Sequence, residues 1–436
     1  MLSDTVAAIA TPLKEGAVSI IRISGPDSFE VIRKISDIRK MEANTIVYGH
    51  IYEDGEMADE VLVSFFRGPR SFTGEDVVEI NCHGGIYLTR RILNIVLSCG
   101  VRNAEPGEFS KRAYLNGRID LSEAESINDL IRASGRFQAK SALRGLNGSV
   151  SKLLDPLMRE MRDVISMIDV NIDYPEYYDE KQMSADNIKP YVIKWIAECR
   201  EMIDKAERFR VIKDGLDTVI IGKPNVGKSS LLNALIGYDK AIVTDIEGTT
   251  RDLVEGKVNL ENISLNLIDT AGIRESEDVV ENIGIERSKE ALKKAELVLL
   301  VLDSSNIDER DRELLKMTEG YNRIIVYNKN DLSRHDGISI CAKDGDINML
   351  TDYLNNRYKD DTRLVDEDVL NNERQLSLMK KCLNELKELL EGLEYVNLDV
   401  LELNLEEAYH YLADILGREY REDLIDHLFR NFCLGK

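Results

Sequence analysis

The 436 residues carry 57 Lys and Arg against 79 Asp and Glu, a formal net charge of −22, with a pI near 4.8. A field of that sign repels nucleic acid as a whole, so any RNA contact needs a local basic patch or a basic partner. Hydrophobic content of 43% with 31% charged residues is that of a soluble globular protein, long enough for two or three separate cores.

Cysteine and targeting signals exclude more. Cys82, Cys99, Cys199, Cys341, Cys382 and Cys433 form no C-x-x-C pair, and the histidines do not join them at zinc-ligand spacing. Reduced thiols are expected. The start, Met1 to Ile9, lacks the basic stretch and sustained apolar run of a signal peptide. No segment approaches the ~18 apolar residues of a membrane span. The expectation is a cytoplasmic protein without membrane attachment.

In chain order, Val18 to Ile23 and Glu60 to Phe66 are β-branched or aromatic runs bounded by Gly, Pro and Asp, and they predict strands. Asp27 to Ile35 has helical spacing. Val77 to Ile80 predicts a strand that leads through Gly84-Gly85 into a helix from Tyr87 to Leu97. At Ser122 the character changes: Ser122-Glu-Ala-Glu125 has capping-box spacing, and a nearly continuous helical pattern follows to Val170. A second helix is predicted from Ala185 to Arg210. Helical periodicity returns after residue 365 through Leu376, Met379, Leu383, Leu386 and Leu390, then Leu405, Tyr409, Leu412 and Leu416. Between these stretches, Thr218 to Ile221, Leu265 to Ile268, Leu297 to Leu302 and Arg323 to Tyr327 are short apolar runs of the buried parallel-strand type. The pattern implies a doubly wound α/β domain inserted into a helical domain.

The inserted segment carries a nucleotide signature. Gly222-x4-Gly227-Lys228-Ser229 follows a predicted strand and opens a helix, the context a phosphate loop requires. Backbone amides from Asn225, Val226 and Gly227 to Ser230 can turn onto phosphates, Lys228 can reach the β and γ phosphates, and the Ser229 hydroxyl can hold magnesium. Asp269-Thr270-Ala271-Gly272 follows the next strand, where a carboxylate can hold a magnesium water. Asn328-Lys329-Asn-Asp331 follows another strand; Asp331 can accept from guanine N1 and N2, which favours GTP over ATP. Cys341-Ala342-Lys343 lies where GTPases usually carry Ser-Ala-Lys. Thr244-Asp245-Ile246-Glu247-Gly248-Thr249-Thr250 lies between these elements, with Thr250 the first choice for the switch magnesium ligand and Thr249 the alternative. Ile273 stands where Ras-like proteins place a water-orienting glutamine, so another polar group must act. Glu281 is a candidate, although by itself it reads as a solvated helix carboxylate.

Taken together, the chain resembles the MnmE (TrmE) family of tRNA-modifying GTPases over essentially its whole length. The motifs are Ala10-Thr-Pro12, Ile20-Ile-Arg-Ile-Ser-Gly25, Asp76 to Gly85, Pro106-Gly-Glu-Phe-Ser-Lys-Arg-Ala-Tyr-Leu-Asn-Gly117, Pro224-Asn-Val-Gly-Lys-Ser-Ser230 and Gly248-Thr-Thr-Arg-Asp252. The end, Phe432-Cys-Leu-Gly-Lys436, matches Phe-Cys-Ile-Gly-Lys with Leu for Ile. The resemblance implies a folate donor, 5,10-methylenetetrahydrofolate or 5-formyltetrahydrofolate, contacted by Arg22, Glu79, Arg118 and Lys436; Arg118 stands where many relatives have Lys. By themselves Arg22 and Glu79 read as a surface ion pair.

The resemblance also implies potassium held by Asn225 with oxygens at Thr244, Ile246 and Thr249, catalytic water orientation by Glu281, and Cys433 as a candidate nucleophile in a tail that otherwise reads as a tether. It implies a homodimer and a complex, heterotetrameric or larger, with an FAD-dependent MnmG-type flavoprotein that holds most of the tRNA. The product would be an aminomethyl or carboxymethylaminomethyl group at C5 of the wobble uridine. The domains implied are 1–118 for folate binding and dimerisation, 119–210 and 365–436 for the helical domain, and 211–364 for the G domain. A ribosome-assembly GTPase shares the GTPase motifs but leaves Phe432 to Lys436 unexplained.

Overall fold

A computed structural model describes residues 4–133, 135–174, 183–238, 254–268, 292–393, 395, 397–418, 428–429, 432 and 435. The chain divides into two compact units. The first is built from both ends, Met1–Arg200 with Glu373–Lys436, and the second is Glu201–Asn372.

The first unit opens with a six-stranded sheet in the order β3-β4-β5-β2-β1-β6. Its strands are β1 (Val6–Ile9), β2 (Val18–Ser24), β3 (Thr45–Glu53), β4 (Glu56–Phe66), β5 (Val77–His83) and β6 (Arg102–Asn103). All pairings are antiparallel except β1 with β6. Alternation fixes which face is dry: Ile21, Ile23, Val61, Val63, Phe65, Val78 and Ile80 point to one side. There they meet Val31, Ile32, Ile92, Ile95 and Val96 from helices α1 (Ser28–Ile35) and α2 (Ile86–Ser98). The other face carries Arg22, Leu62 and Glu79. Strand β3 is not among the strands predicted from sequence, because polar and glycine residues interrupt its alternation.

A buried cation then ties helix α3 (Glu108–Leu115) to the strands. The fully buried Arg112 guanidinium donates to the Asp4 carbonyl at 2.9 Å, to Asp4 Oδ1 at 2.8 Å, to Glu108 Oε1 at 3.0 Å and to Glu75 Oε2 at 3.2 Å. Every one of these bonds is charge-assisted or made to backbone, which is what a buried guanidinium requires.

The helical pattern between Ser122 and Val170 is broken into three helices, α4 (Leu121–Arg132), α5 (Arg136–Leu146) and α6 (Ser149–Asp173). Gly135 and Gly148 stand immediately before the second and third helices, and Gly148 has φ of +73°, which a side chain resists. The capping box also differs from expectation. Asp120, not Ser122, is the N-cap: its carboxylate accepts from the Glu123 amide, and Glu123 accepts from the Asp120 amide. Ser122 instead donates its hydroxyl to Asp120 Oδ1 at 2.7 Å.

Helix α7 runs Ala185–Asp214, past the predicted Arg210. Its Trp195 Nε1 donates to Glu160 of α6 at 2.7 Å. The second unit is a six-stranded sheet in the order β12-β11-β10-β7-β9-β8. Strands β7 (Leu216–Ile221), β9 (Ser264–Ile268), β10 (Leu297–Asp303), β11 (Arg323–Asn328) and β12 (Ile338–Ile340) are parallel, and β8 (Val254–Asn259) is antiparallel to β9. Its described helices are α8 (Lys228–Tyr238), α9 (Glu309–Met317) and α10 (Asn348–Tyr358). Strand β10 is buried at every position, so it reads as continuous apolar sequence.

The chain then returns to the first unit. Helices α11 (Glu373–Gly392) and α12 (Leu398–Leu416) bury Leu376, Met379, Leu383, Leu386, Leu405 and Leu412 as their periodicity predicts. Arg374 on α11 donates to Glu125 on α4 at 2.5 Å and caps the carbonyls of Asp414 and Ile415 on α12. No helix among the described residues is long and apolar enough to cross a membrane.

The Arg112 cluster gives a pH-dependent prediction. Burial pushes the Glu108 and Asp4 carboxyls up, but hydrogen bonds from Arg102 and Arg112 outweigh it and hold both below the usual range. Groups depressed in the fold stabilise it above their unfolded pKa, and that contribution disappears as pH falls through the folded value. Arg112→Met should cost about 3–5 kcal/mol near neutral pH. Urea unfolding should show the gap from wild type narrowing below about pH 4, where the carboxylates protonate.

Candidate functional site

The phosphate loop sits at the carboxyl end of β7, where the sheet's connections reverse direction between β10 and β9, and it runs directly into α8. Two glycines are required by close approach. A Cβ on Gly222 would strike the Val301 carbonyl; one on Gly227, at φ +94°, would strike the Asn328 side chain. Asn225 adopts a left-handed φ of +62° at the exposed crest. Lys228 Nζ donates to the carbonyls of Gly222 and Lys223, both at 2.9 Å, so the ammonium lies inside the loop's curve. Burial pushes its pKa down. A desolvated cation within a loop that opens a helix fits a phosphate chain.

Asn328 joins the loop to the base-binding segments. Its Nδ2 donates to the Val226 carbonyl at 2.8 Å, and its Oδ1 accepts from the Ala342 amide at 3.0 Å. Lys329, with φ +65°, pairs with Asp303 at 2.6 Å, while its carbonyl accepts from Ser304. Asp331 is exposed, and its Oδ1 accepts from the Cys341 thiol at 3.5 Å. Cys341 also donates to Asp344 at 3.1 Å, and that bond raises its pKa. The cysteine thus fills the role of a hydroxyl donor at this turn. Lys343 is exposed, and Ser229 and Ser230 occupy the first turn of α8.

Thr244, Asp245, Ile246, Glu247, Gly248, Thr249, Thr250, Asp269, Thr270, Ala271, Gly272 and Glu281 lie outside the described residues, as do Cys433 and Lys436.

In the first unit, Arg22 and Glu79 stand directly opposite in register on β2 and β5, joined Nε to Oε1 at 2.8 Å. This is not a solvated surface pair: the side chains are 13% and 21% exposed. The guanidinium lies over the rings of Phe72 and Phe109, 5.0 and 5.5 Å from their centroids, and Nη1 donates to the Gly435 carbonyl at 3.2 Å. Gly435 has φ +89°, and a Cβ there would strike the Ile9 carbonyl. The end of the chain is therefore laid against β1 beside the Arg22–Glu79 pair. Arg118 is exposed and lines a cleft of about 460 Å³ with Tyr114, Ile119, Glu123, Leu416 and Arg418. Neither Arg22 nor Glu79 lines that cleft.

The chain has relatives among known proteins. Residues 5–118 match the family model described as GTP-binding protein TrmE N-terminus, and residues 121–433 match the MnmE helical domain. The tRNA modification GTPase MnmE of Streptococcus thermophilus is 44% identical, across 99% of this chain and 98% of that one. The chain belongs to the MnmE family. The MnmE proteins of Streptococcus mutans and Lactococcus lactis are each 44% identical across 99% of this chain, covering 99% and 98% of their own lengths.

In this MnmE-family GTPase, sequence reasoning missed Lys223. It is held by Asp308 at 3.0 Å, by the fully buried Asp311 at 2.8 Å and by the Asn306 carbonyl, which fixes the loop's first limb to the start of α9. The available signal was Asp308-x-x-Asp311, a capping box in which both carboxylates also face this lysine. The two hydrogen bonds of the Asn328 amide predict that Asn328→Ala weakens GTP binding about 5–100-fold, since two buried partners are left unsatisfied. Titration with a fluorescent GTP analogue measures this; unchanged affinity would show that the bridge does not organise the site.

Proposed function

We propose that this protein hydrolyses GTP to drive tRNA wobble-uridine modification in the cytoplasm, together with an FAD-dependent MnmG-type flavoprotein. The observation that carries the reading is the meeting of Arg22, Glu79 and the chain's end at Gly435. It supports a tetrahydrofolate site: Glu79 can accept from the amino and N3–H groups of a pterin, while the rings of Phe72 and Phe109 fix the guanidinium. Lys436, next in the chain after Gly435, would complete the site, and the family resemblance adds Arg118, which lines its own cleft with Tyr114 and Glu123. The ligand, 5,10-methylene- or 5-formyltetrahydrofolate, supplies the one-carbon unit when bound.

In the G domain, Ser229 and Thr250 would hold magnesium, and Asn225 with Thr244, Ile246 and Thr249 would hold potassium. These cations would neutralise charge on the transferring phosphoryl group. Asn225 stands exposed at the crest of the phosphate loop with a left-handed φ of +62°, within the segment that would face the phosphates. Lys228 binds the phosphates, Asp331 selects guanine and Glu281 orients water.

A homodimer would form through the N-terminal sheet. The face opposite α1 and α2 exposes Ile46, Tyr48 and Leu62 on β3 and β4, and Val18 is exposed on β2, an apolar set expected to be covered.

Mass spectrometry of nucleosides from tRNA incubated with this protein, the flavoprotein, folate and GTP tests the whole reading. A C5-aminomethyl-type wobble uridine is expected, and its absence from the complete reaction would reject it. Hydrolysis should also run ~10-fold or more faster in potassium than in sodium at equal ionic strength. Asn225→Ala should erase that difference while retaining GTP binding. Equal wild-type rates in the two salts would remove the cation site.

A further inference from the structure

The turn that leaves β10 touches both halves of the nucleotide site. At its start Asp303 stands in register with Asn328 of β11. Asp303 Oδ2 accepts from Lys329 Nζ at 2.6 Å, and its Oδ1 accepts from the amide and the hydroxyl of Ser305 at 3.0 and 2.6 Å. Burial pushes the Asp303 carboxyl up, but the bonds from Lys329 and Ser305 outweigh it and hold it below the usual range. Ser304 works on the backbone instead. Its amide donates to the Asn328 carbonyl at 3.0 Å and its hydroxyl to the Lys329 carbonyl at 2.9 Å. A few residues on, the Asn306 carbonyl, Asp308 and Asp311 hold Lys223 of the phosphate loop.

Lys329 needs such support. Its φ of +65° is a conformation that side chains resist, and it persists only where the surroundings over-determine it. Its carbonyl also accepts from the Leu332 amide at 3.0 Å, which closes the turn that carries Asp331. Asp303 and Ser304 therefore fix the side chain and the carbonyl of the residue from which that turn starts. The Asp303–Lys329 pair is not a solvated contact: its side chains are 11% and 33% exposed, so water screens it less than it screens a surface pair.

We propose that Asp303 is a positioning residue for guanine recognition, acting through Lys329 to hold Asp331 where it meets the base. The inference rests on the assignment of guanine selection to Asp331 and extends it to a residue outside the base-binding motif. Asp331 can accept from guanine N1–H and from the N2 amino group. A displaced carboxylate therefore loses most with a base that carries both donors, and less with hypoxanthine, which lacks the amino group.

The test is competition of GTP and of ITP against a fluorescent GTP analogue on the full-length chain. The proteins compared are wild type, Asp303→Asn, Asp303→Ala, Lys329→Met and the double variant Asp303→Asn/Lys329→Met. Asp303→Asn is nearly isosteric and keeps an oxygen for Ser305, so it removes the ion pair with least disturbance; circular dichroism and thermal melting check the fold. Asp303→Asn should weaken GTP about tenfold and ITP less, narrowing the preference for GTP about threefold or more. Asp303→Ala should shift both in the same direction and further. The double variant should bind GTP no more weakly than Lys329→Met, because the two residues act as one unit. Equal losses for GTP and ITP would mark a general loosening and reject the proposal, as would losses that add in the double variant or an unchanged GTP affinity in both Asp303 variants. Asp331→Asn, measured in parallel, tests the assignment beneath it. If that variant keeps the full preference for GTP over ITP, Asp331 does not read guanine and the role of Asp303 falls with it.

Discussion

The first unit depends on Phe429 and Phe432, near the end of the chain, packing against the start of α4. Phe429 and Phe432 bury against Leu121 and Ala124, with ring centroids 5.0 Å apart, and each complete burial contributes about 1.5–3 kcal/mol. Gly107, at φ +71°, leaves room for the Phe429 carbonyl, where any Cβ would collide. This closure makes one compact unit from residues hundreds of positions apart. It also carries Gly435 to Arg22: without the phenylalanine anchor, a 3.2 Å hydrogen bond to one carbonyl could not offset the entropy of ordering the tail. The ligand-binding proposal for Arg22 and Glu79 therefore rests on apolar burial elsewhere.

The second unit solves a different problem, holding a charged lysine inside a backbone loop. Lys228 is desolvated, so its two carbonyl partners must be fixed. Gly222 is pressed on the Val301 carbonyl of β10, and Lys223 is clamped by Asp308 and Asp311. Asn328 fastens the other limb through Val226. A loop held at both limbs spends little binding energy on ordering when phosphate arrives.

Much of this was legible because periodicity and motif chemistry act locally. The helical stretches of α11 and α12, the strands β7, β9, β10 and β11, and the glycine-lysine loop each announce themselves within a dozen residues. What the sequence hid was long-range or competitive. Strand β3 looks polar because its stability comes from pairing along β4. Asp120 outcompeted Ser122 as a cap because its carboxylate reaches the Glu123 amide and the Ser122 hydroxyl together. Arg112 looked like any helix arginine; its partners, Asp4 and Glu75, are distant in sequence. The 13% exposure of Arg22 likewise follows from Phe72 and Phe109, which no spacing rule connects to it.

Charge shows how global and local physics divide the work. At a net −22, the far field opposes an approaching RNA. At physiological salt, however, that field is screened over about 8 Å, so beyond the first layer of side chains little of it survives. Within that layer the local composition decides. With the far field screened, any RNA contact depends on charges within that layer and weakens as salt rises.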